Sequence, residues 1–341
     1  MRVLIVKTSS MGDLIHLLPA LTDAARAIPD IQFDWVVESA FQEVPRWHER
    51  VDHIIPMSWR RWRKAPFSAE SRQEWRAFKE QLHARHYDKV IDAQGLLKSA
   101  LFAWQAKGER WGLNFRSAWE PLASLFYQQR VAVDADQHAV VRMRKLLAGC
   151  LGYAYSDSTP DYGILPTAFA PYPGEVPAKT VMFIHGTTWD SKTWPLTYWQ
   201  QLRDLATGAG FAVLLPWGNA EEHERAKTIA GDDQRVTVLP KLPLSQIGAL
   251  LQRVSGAVSV DTGLGHLCAA LALPNVSLYG PTDPAMTGAL GANQVHLAAK
   301  FSCAPCLKER CSFTDATTVT PACFATLSPE KVWQQLVNIL K

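Results

Sequence analysis

The sequence predicts an α/β protein with two doubly wound, Rossmann-like domains in series. Short apolar runs alternate with amphipathic stretches along the chain, a proline-rich segment divides it near the middle, and each half has a glycine-containing loop between a strand and a helix. With 341 residues, 48% of them hydrophobic, the chain exceeds the length at which one hydrophobic core usually splits in two.

The first half alternates apolar runs with helical patterns. Four runs predict strands, at Val3–Val6, Phe33–Val37, Ile54–Ile55 and Lys89–Ile91. Helical spacing predicts a helix through Leu14, Leu17 and Leu18, a second over Gln73–His86 and a third over His138–Leu147. This alternation favours a parallel sheet with right-handed crossovers.

The second half repeats the pattern. Strands are predicted at Val181–Ile184, Phe211–Leu215, Val236–Leu239, Ala257–Val260 and Val276–Tyr279. Helices are predicted over Pro195–Thr207, Glu221–Ala230 and Ser245–Val254, in a stretch of small residues ending at Leu273, and after the N-cap Ser328. The last helix has one apolar face, and we expect it to dock on the first domain.

Domain limits follow from the prolines between residues 160 and 177, which cannot lie in helix interiors. The predicted arrangement is an N-terminal domain over residues 1–160, a linker over 161–178, a C-terminal domain over 179–326 and a closing helix over 327–341. We expect the two domains to face a central cleft.

Composition limits the function classes. The formal net charge is +3, so a global electrostatic argument for nucleic-acid binding is weak, and any basic patch must be local. The N-terminus lacks a signal-peptide pattern, and no apolar run is long enough to span a bilayer. We therefore expect a cytoplasmic protein, in which six cysteines can remain reduced thiols.

Asp13 lies where the first predicted strand gives way to a helix. A carboxylate there can cap the helix and interact with the positive end of its dipole. It can also act as a general base at a strand end, where Gly12 leaves room for a substrate. The residues alone leave both interpretations open.

The motif Val-Ser-Val-Asp-Thr-Gly-Leu-Gly-His, from Val258 to His266, predicts an anion site at a helix start. Asp261 would then accept hydrogen bonds from sugar hydroxyls. The alternative is a capped helix with glycines for close packing. Four residues after other strands point the same way: Thr187 and Thr188 as donors, Lys192 as a phosphate contact, and Glu222, shortly after Trp217, for ribose hydroxyls.

Two common nucleotide motifs are missing from the sequence. There is no G-x-x-x-x-G-K-[ST] loop, and the opening Lys-Thr-Ser-Ser-Met-Gly-Asp is not G-x-G-x-x-G. P-loop hydrolysis and hydride transfer at a standard dinucleotide fingerprint are both disfavoured.

Long motifs resemble the bacterial lipopolysaccharide heptosyltransferases, above all those of type I. They are V-K-T-S-S-M-G-D-x-x-H-x-L-P-A-L near the N-terminus, S-V-D-T-G-L-x-H, Y-G-P-T-D-P, F-D-W-V-V-E, R-R-W-R-K, D-A-Q-G-L, E-P-L-A-S-L-F-Y and L-P-W-G. Together they cover essentially the whole chain.

The resemblance implies a GT-B glycosyltransferase that moves heptose from ADP-heptose to the inner 3-deoxy-manno-octulosonic acid (Kdo) of Kdo-lipid A, with inversion and without metal or other cofactor. Asp13 matches the family's general base. The donor-binding positions carried over are Thr187, Thr188, Lys192, Trp217, Glu222, Asp261, Thr262, Gly263 and His266. We expect a monomer, peripheral on the cytoplasmic face of the inner membrane, with no nucleic-acid partner.

The run from Trp59 to Lys64 is a local basic patch. It can be an exposed loop, or a nucleic-acid contact with arginines on phosphates. In the family context it suits the carboxylates and phosphates of the lipid acceptor. We assign acceptor binding to Arg60, Arg61, Arg63, Lys64 and Gln94. Trp119 stands where the family often has an arginine of the acceptor site.

Four cysteines, Cys303, Cys306, Cys311 and Cys323, resemble an insertion more typical of type II heptosyltransferases. Thiolates bind zinc well, but the spacing fits no standard module, and a loop with or without disulfides is the competing interpretation. We expect no metal in the chemistry.

Other functions remain open on the sequence. A type II heptosyltransferase or related sugar transferase would share the donor site and differ in acceptor. A sugar-nucleotide epimerase would need further acid and base groups. A non-catalytic module that binds a nucleotide sugar or an anionic lipid would use Asp13 only as a cap.

Overall fold

The computed structural model describes residues 1–315 and 317–341 as two compact units, Met1–Ala168 and Phe169–Lys341. The division between Ala168 and Phe169 falls inside the segment predicted as a linker. Each unit contains one six-stranded sheet, and every strand pair in both sheets is parallel.

The first sheet has the strand order β3-β2-β1-β4-β5-β6. Its strands are β1 (Arg2–Val6), β2 (Gln32–Glu38), β3 (Val51–Met57), β4 (His86–Asp92), β5 (Lys107–Leu113) and β6 (Gln129–Val131). The helices of this unit are α1 (Met11–Ala27), α2 (Glu43–Arg46), α3 (Trp59–Lys64), α4 (Ala69–His83), α5 (Leu97–Gln105) and α6 (Ala139–Leu151).

Central strand β1 is apolar on both faces because helices cover both sides of the sheet. Leu4 and Val6 pack in one cluster with Phe78 of α4 and Phe102 of α5. Side chains alternate along a strand, so Val3 and Ile5 point to the opposite face. On that side α1 packs against α2 and α6.

The second sheet has the order β12-β11-β10-β7-β8-β9. Its strands are β7 (Thr180–Ile184), β8 (Ala212–Leu215), β9 (Val236–Val238), β10 (Gly256–Val260), β11 (Asn275–Tyr279) and β12 (Gln294–Ala298). Its helices are α7 (Leu196–Gly208), α8 (Ala220–Ala230), α9 (Leu244–Leu251), α10 (Gly263–Ala270), α11 (Pro284–Thr287) and α12 (Pro329–Ile339).

Numbered from its own first strand, each sheet has the order 3-2-1-4-5-6 of dinucleotide-binding folds. In such sheets ligands bind beyond the carboxyl ends of the strands, where the strand order reverses. That point lies between β1 and β4 in the first unit and between β7 and β10 in the second.

The closing helix α12 does not dock where we expected. Its buried residues Val332 and Leu336 belong to the hydrophobic cluster of the second unit, and the helix packs against α7, β10 and β11. The prediction that it docks on the first domain is wrong, because the apolar strip it covers belongs to its own sheet.

Several element predictions also change. The predicted helix Gln73–His86 is α4, which begins earlier because the Ser68 side chain caps it and ends at His83, before β4. The run from Trp59 to Lys64 is the short helix α3 rather than a loop. Strands β5, β6 and β12 were not predicted.

None of the helices in the described ranges combines the length and the apolar character needed to cross a bilayer.

Candidate functional site

Asp13 lies in the first turn of α1, directly beyond the carboxyl end of β1. Its Oδ2 atom accepts hydrogen bonds from the Ser10 backbone N–H at 2.7 Å and from the Ser10 hydroxyl at 2.8 Å. Within residues 1–315 and 317–341, Oδ1 has no hydrogen-bond partner. The carboxylate therefore caps the helix with one oxygen and keeps the other available.

Gln94, at the carboxyl end of β4, braces the loop that precedes Asp13. Its Oε1 accepts the Thr8 backbone N–H at 2.9 Å, and its Nε2 donates to the Ser9 carbonyl at 3.0 Å. The structure thus brings Gln94 next to the base candidate, where it shapes the loop.

Lys7 is a buried cation at this strand end that the sequence analysis did not single out. Its Nζ donates to the Ala93 carbonyl at 3.1 Å. Burial lowers the pKa of Lys7, and the carboxylates of Asp13 and Asp92 act in the opposite direction. A lysine directly after an apolar strand is the signal that could have identified it.

The basic side chains of the run from Trp59 to Lys64 point in different directions, because the run forms helix α3. Arg60 lies over the Phe41 ring at 5.9 Å, and its backbone N–H contacts Glu38 at the end of β2. Arg61 pairs with Glu70 and Glu74. Arg63 and Lys64 are exposed. Only Arg60 therefore lies beside the strand ends, because successive helical residues point about 100° apart.

A cavity of about 210 Å³ opens at the carboxyl edge of the second sheet. Five predicted donor residues line it: Thr187, Thr188, Trp217, Glu222 and Thr262. Leu242, Leu244 and Ile247 contribute apolar wall, which the sequence analysis did not assign. The signal was weak, because three leucine or isoleucine residues around the start of a helix look like ordinary core.

Asp261, directly after β10, connects the loops around this cavity. Its Oδ2 pairs with Lys192 Nζ at 2.8 Å and accepts the Thr282 hydroxyl at 2.7 Å. Its backbone carbonyl accepts the Thr187 hydroxyl at 3.0 Å, and His266 Nε2 lies 3.9 Å from its Oδ1. Lys192, Asp261 and His266 are brought together beside the cavity but are not part of its lining.

Thr282 is the functional candidate that the sequence analysis missed in the second unit. It follows β11 in the Gly-Pro-Thr-Asp-Pro segment, so it lies at the same edge of the sheet as Asp261. A hydroxyl residue after a buried strand was the available signal. The predicted donor residue Gly263 is the first residue of α10, and Thr262 before it is the N-cap of that helix.

Glu222 is held in the first turn of α8, where its Oε2 accepts the Gly218 backbone N–H at 2.7 Å. Gly186 faces it so closely that a Cβ there would lie 2.6 Å from Glu222 Cδ. Trp217 is fixed by its indole N–H, which donates to the Leu239 carbonyl at 2.6 Å. A carboxylate and an indole thus both form part of the cavity wall.

His185, at the end of β7, has a buried ring. Burial, with a smaller contribution from Arg225, lowers its pKa to about 4. The imidazole is therefore neutral at pH 7 and adds no charge beside the cavity.

The loop between β12 and α12 contains Cys303, Cys306, Cys311 and Cys323. These four cysteines line a second cavity of about 110 Å³ and are all free thiols. Across residues 1–315 and 317–341, no cluster of three or more His, Cys, Asp or Glu side chains is arranged to hold a metal ion. The loop instead contacts the segments that precede Lys192 and Thr282. The Ser191 hydroxyl donates to the Lys308 carbonyl at 2.6 Å, and the Leu307 N–H donates to the Pro281 carbonyl at 2.8 Å.

A sequence profile described as glycosyltransferase family 9 (heptosyltransferase) matches residues 75–317, more than half of the chain. The chain belongs to glycosyltransferase family 9. It is therefore a glycosyltransferase, and the resemblance found in the sequence motifs is confirmed.

The family 9 chain is similar to lipopolysaccharide heptosyltransferase 1 of Pseudomonas aeruginosa, with 49% identity over 100% of this chain and 98% of that protein. It is less similar to lipopolysaccharide heptosyltransferase 2 of Salmonella typhimurium, with 24% identity over 84% of this chain and 85% of that protein.

Two solved structures of the Escherichia coli heptosyltransferase WaaC share the fold. The structure with ADP has a TM-score of 0.86 and 44% identity, and it covers 99% of this chain and 100% of that one. The structure with ADP-2-deoxy-2-fluoro heptose has a TM-score of 0.83 and 43% identity, covering 99% of both. The predicted GT-B fold with two Rossmann-like sheets is confirmed.

Proposed function

We propose that this family 9 enzyme transfers L-glycero-D-manno-heptose from ADP-heptose to the inner Kdo of Kdo-lipid A in the lipopolysaccharide inner core. The observation that carries the proposal is the strand-end cavity of the second unit, where Thr187, Thr188, Trp217, Glu222 and Thr262 converge. The similarity of the whole chain to WaaC, which was solved with ADP and with ADP-2-deoxy-2-fluoro heptose, supports the choice of donor.

The donor is bound in parts by groups of different chemistry. Glu222 is placed to accept hydrogen bonds from ribose hydroxyls, while Trp217 and the apolar wall flank the base. The hydroxyls and amides of Thr188 and Thr262 and the backbone N–H of Thr187, with Gly263 at the start of α10, donate to the pyrophosphate, while the Thr187 hydroxyl stays on the Asp261 carbonyl. Asp261 accepts from heptose hydroxyls, and His266 lies beside it.

Asp13 is the general base of the proposed reaction. The acceptor hydroxyl gives its proton to Oδ1 as its oxygen forms a bond to the heptose anomeric carbon. The bond from that carbon to the ADP oxygen breaks, and its electron pair leaves with ADP. Attack opposite the leaving group inverts the anomeric centre, so one base is sufficient.

Charge on the departing ADP is stabilised by Lys192 and by backbone N–H groups at the start of α10. Lys192 pairs with Asp261 in this structure, so it must exchange part of that contact for a phosphate oxygen. We propose that these groups stabilise the charge on the leaving ADP in place of a divalent ion, so the transfer is independent of metal.

The acceptor side is assigned to the first unit. Arg60 lies beside the carboxyl end of β2, and Gln94 fixes the loop that precedes Asp13. Arg63 and Lys64 are exposed for phosphates, whereas Arg61 is already paired and positions α3. We propose that the enzyme acts as a monomer, peripheral on the cytoplasmic face of the inner membrane, without a nucleic-acid partner.

The test incubates the purified chain with ADP-heptose and either Kdo-lipid A or its monoheptosylated product, with EDTA present. We expect ADP release and a mass gain of one heptose on Kdo-lipid A alone. Transfer only to the monoheptosylated acceptor would replace the type I assignment by type II. Donor binding without turnover on either acceptor would indicate a binding module, and activity restored only by added Mg²⁺ would refute metal independence.

A further inference from the structure

A groove of about 310 Å³ lies between α3 and α4 in the first unit. Its walls are formed mainly by Trp59, Trp62, Trp75 and Pro66, with Arg63 and Arg72 also on the lining. Trp62 donates its indole N–H to Glu74, and Trp75 stacks on Phe78, so the aromatic walls are fixed in place. The transfer chemistry uses none of these tryptophans.

The surface around the groove is strongly basic. Residues 59–72 contain five basic side chains and one acidic side chain. Arg61 is the one that pairs with the acidic residues of α4. For Arg63, Lys64 and Arg72, the described chain offers no ion-pair partner, and all three are exposed. Three cations are thus available to an external anion.

Phe67 lies in the turn between α3 and α4, beside these cations, and 85% of its surface is exposed. A phenylalanine this exposed buries almost nothing within its own chain. Large apolar side chains presented together with basic ones are typical of surfaces that bind another phase or molecule.

A second apolar strip lies on the neighbouring helix. Leu97, Leu101 and Trp104 follow helical spacing along α5 and are exposed, as are Leu122 and Leu125 on the adjacent 3-10 helix Pro121–Phe126. The inner face of α5 meets the groove, since the Phe102 ring lies 5.6 Å from Trp59 and 6.3 Å from Trp75. Groove and strip therefore belong to one layer of helices.

We propose that this helical layer, from Trp59 to Arg72 with the exposed strip of α5 and Pro121–Phe126, docks the enzyme on an anionic lipid bilayer. Phe67 and the leucines enter the acyl-chain boundary, and Arg63, Lys64 and Arg72 contact headgroup phosphates. The inference rests on the proposed function, which places the acceptor in a membrane, and names the surface that meets it.

Charge and polarity together select the bilayer as partner. Basic side chains near an anionic leaflet gain from its negative surface potential, and tryptophan is favoured at the interface because its ring is amphipathic. A nucleic acid would match the cations but would leave the leucine strip in water. A second copy of the chain would match the leucines but would bring the cations together.

The test is vesicle flotation of the full-length protein. We expect binding to vesicles of phosphatidylcholine with phosphatidylglycerol, weak binding to phosphatidylcholine alone, and release as salt is raised. Arg72→Glu and Phe67→Ser should each reduce the bound fraction, with an affinity loss of about tenfold for the charge reversal. Arg46→Glu is the matched control, because Arg46 is exposed on α2, which packs against α1 and β3.

Equal binding of wild type and both variants would overturn the proposal, as would equal binding to neutral and anionic vesicles. A change in oligomeric state without a change in flotation would also overturn it, in favour of self-association. Transfer to a deacylated, water-soluble acceptor is measured in parallel, and Phe67→Ser should leave it unchanged. If wild type transfers nothing to any acceptor, the proposed function fails while flotation still decides the docking surface.

Discussion

Asp13 combines an observed capping contact with the proposed role of general base, two roles that usually compete for one side chain. Oδ2 accepts hydrogen bonds from the Ser10 amide and hydroxyl, which orient the carboxylate. Oδ1 remains available for an acceptor proton. Capping through Oδ2 therefore holds the proposed base in position for proton abstraction by Oδ1.

We predict that Asp13→Asn lowers kcat by about 10²- to 10⁴-fold, because the amide cannot accept the proton. ADP affinity, measured by calorimetry, should stay within error of wild type, since the proposed nucleotide contacts, Glu222 and Trp217, are unchanged. The Asn side chain can still accept the Ser10 N–H, so unfolding free energy should change by no more than about 1 kcal/mol.

Ser68→Ala is the matched control for capping. The Ser68 side chain caps α4 through the Ser71 N–H, at 3.1 Å, and takes no part in the proposed chemistry. The Ser68→Ala variant should lose a similar unfolding free energy, and its kcat toward a deacylated, water-soluble acceptor should be unchanged. If the Asp13→Asn enzyme kept the wild-type kcat, Asp13 would serve only as a helix cap and the proposed role as general base would be wrong.

His48 supplies a test of pH dependence. Its Nδ1 accepts the Arg50 N–H at 3.1 Å, so Nε2 carries the proton and donates to the Thr22 hydroxyl at 3.0 Å. Burial lowers the His48 pKa to about 4, with Asp161 opposing and Arg50 reinforcing the shift. The unfolded chain, with a histidine pKa of about 6.5, binds the proton first.

The contribution of His48 to stability is therefore complete above about pH 6.5 and is lost as pH falls toward 4. Between pH 7 and pH 5 the first unit should lose about 2 kcal/mol of unfolding free energy through this residue. His48→Gln should flatten that slope in urea titrations followed by hydrogen exchange. An unchanged slope would show that His48 is protonated without cost in the folded state.

At the scale of elements, the strand-end loops carry the proposed donor site, and close packing between two of them requires glycine. Gly186 lies shortly after β7, and Glu222 lies in the first turn of α8 with its carboxylate against that glycine. Because both elements end at one cavity, their spacing determines where the carboxylate lies.

We predict that Gly186→Ala raises the KM for ADP-heptose by about tenfold, because the added Cβ displaces the Glu222 carboxylate by steric overlap. Gly208→Ala is the control, since a Cβ at the end of α7 meets nothing within 4 Å. It should leave KM unchanged and stabilise the helix by about 0.5 to 1 kcal/mol. Steady-state kinetics with varied donor decides the matter, and equal KM for both variants would contradict the role of Glu222.

Buried elements were predictable from the sequence, and polar or edge elements were not. β1, β7 and β10 are continuous apolar runs, because both faces of a central parallel strand are covered. β5 was missed because its Lys-Gly-Glu-Arg start resembles a loop, and β12 lies at a sheet edge with partly exposed residues. Local pattern cannot report the partner strand that makes such segments extend.

The candidate site divides in the same way. Single residues at strand ends, such as Asp13, Glu222 and Asp261, could be selected because topology places strand ends together. The contacts that such residues make with other loops could not be predicted. The hydrogen bond from Thr282 to Asp261, for example, joins two loops that are separated along the chain. Burial of Lys7 likewise depends on strands that are distant in sequence.

At the scale of the whole molecule, two sheets of the same strand order are each completed by their own helices. The C-terminal helix α12 follows this rule, since its apolar face covers the second sheet beside α7. Stability of the second unit therefore depends on the last residues of the chain, which lie far from the cavity in sequence.

We predict that Leu336→Ala destabilises the second unit by about 2 to 5 kcal/mol, because a fully buried leucine leaves a cavity between α12 and the sheet. Hydrogen exchange should show lost protection in β7, β10 and β11, with β1 and β4 of the first unit unaffected. Gln334→Ala, at an exposed position of the same helix, should change unfolding free energy by less than about 0.5 kcal/mol. Lost protection in β1 would instead show that α12 supports the first sheet, as the apolar pattern alone had led us to expect.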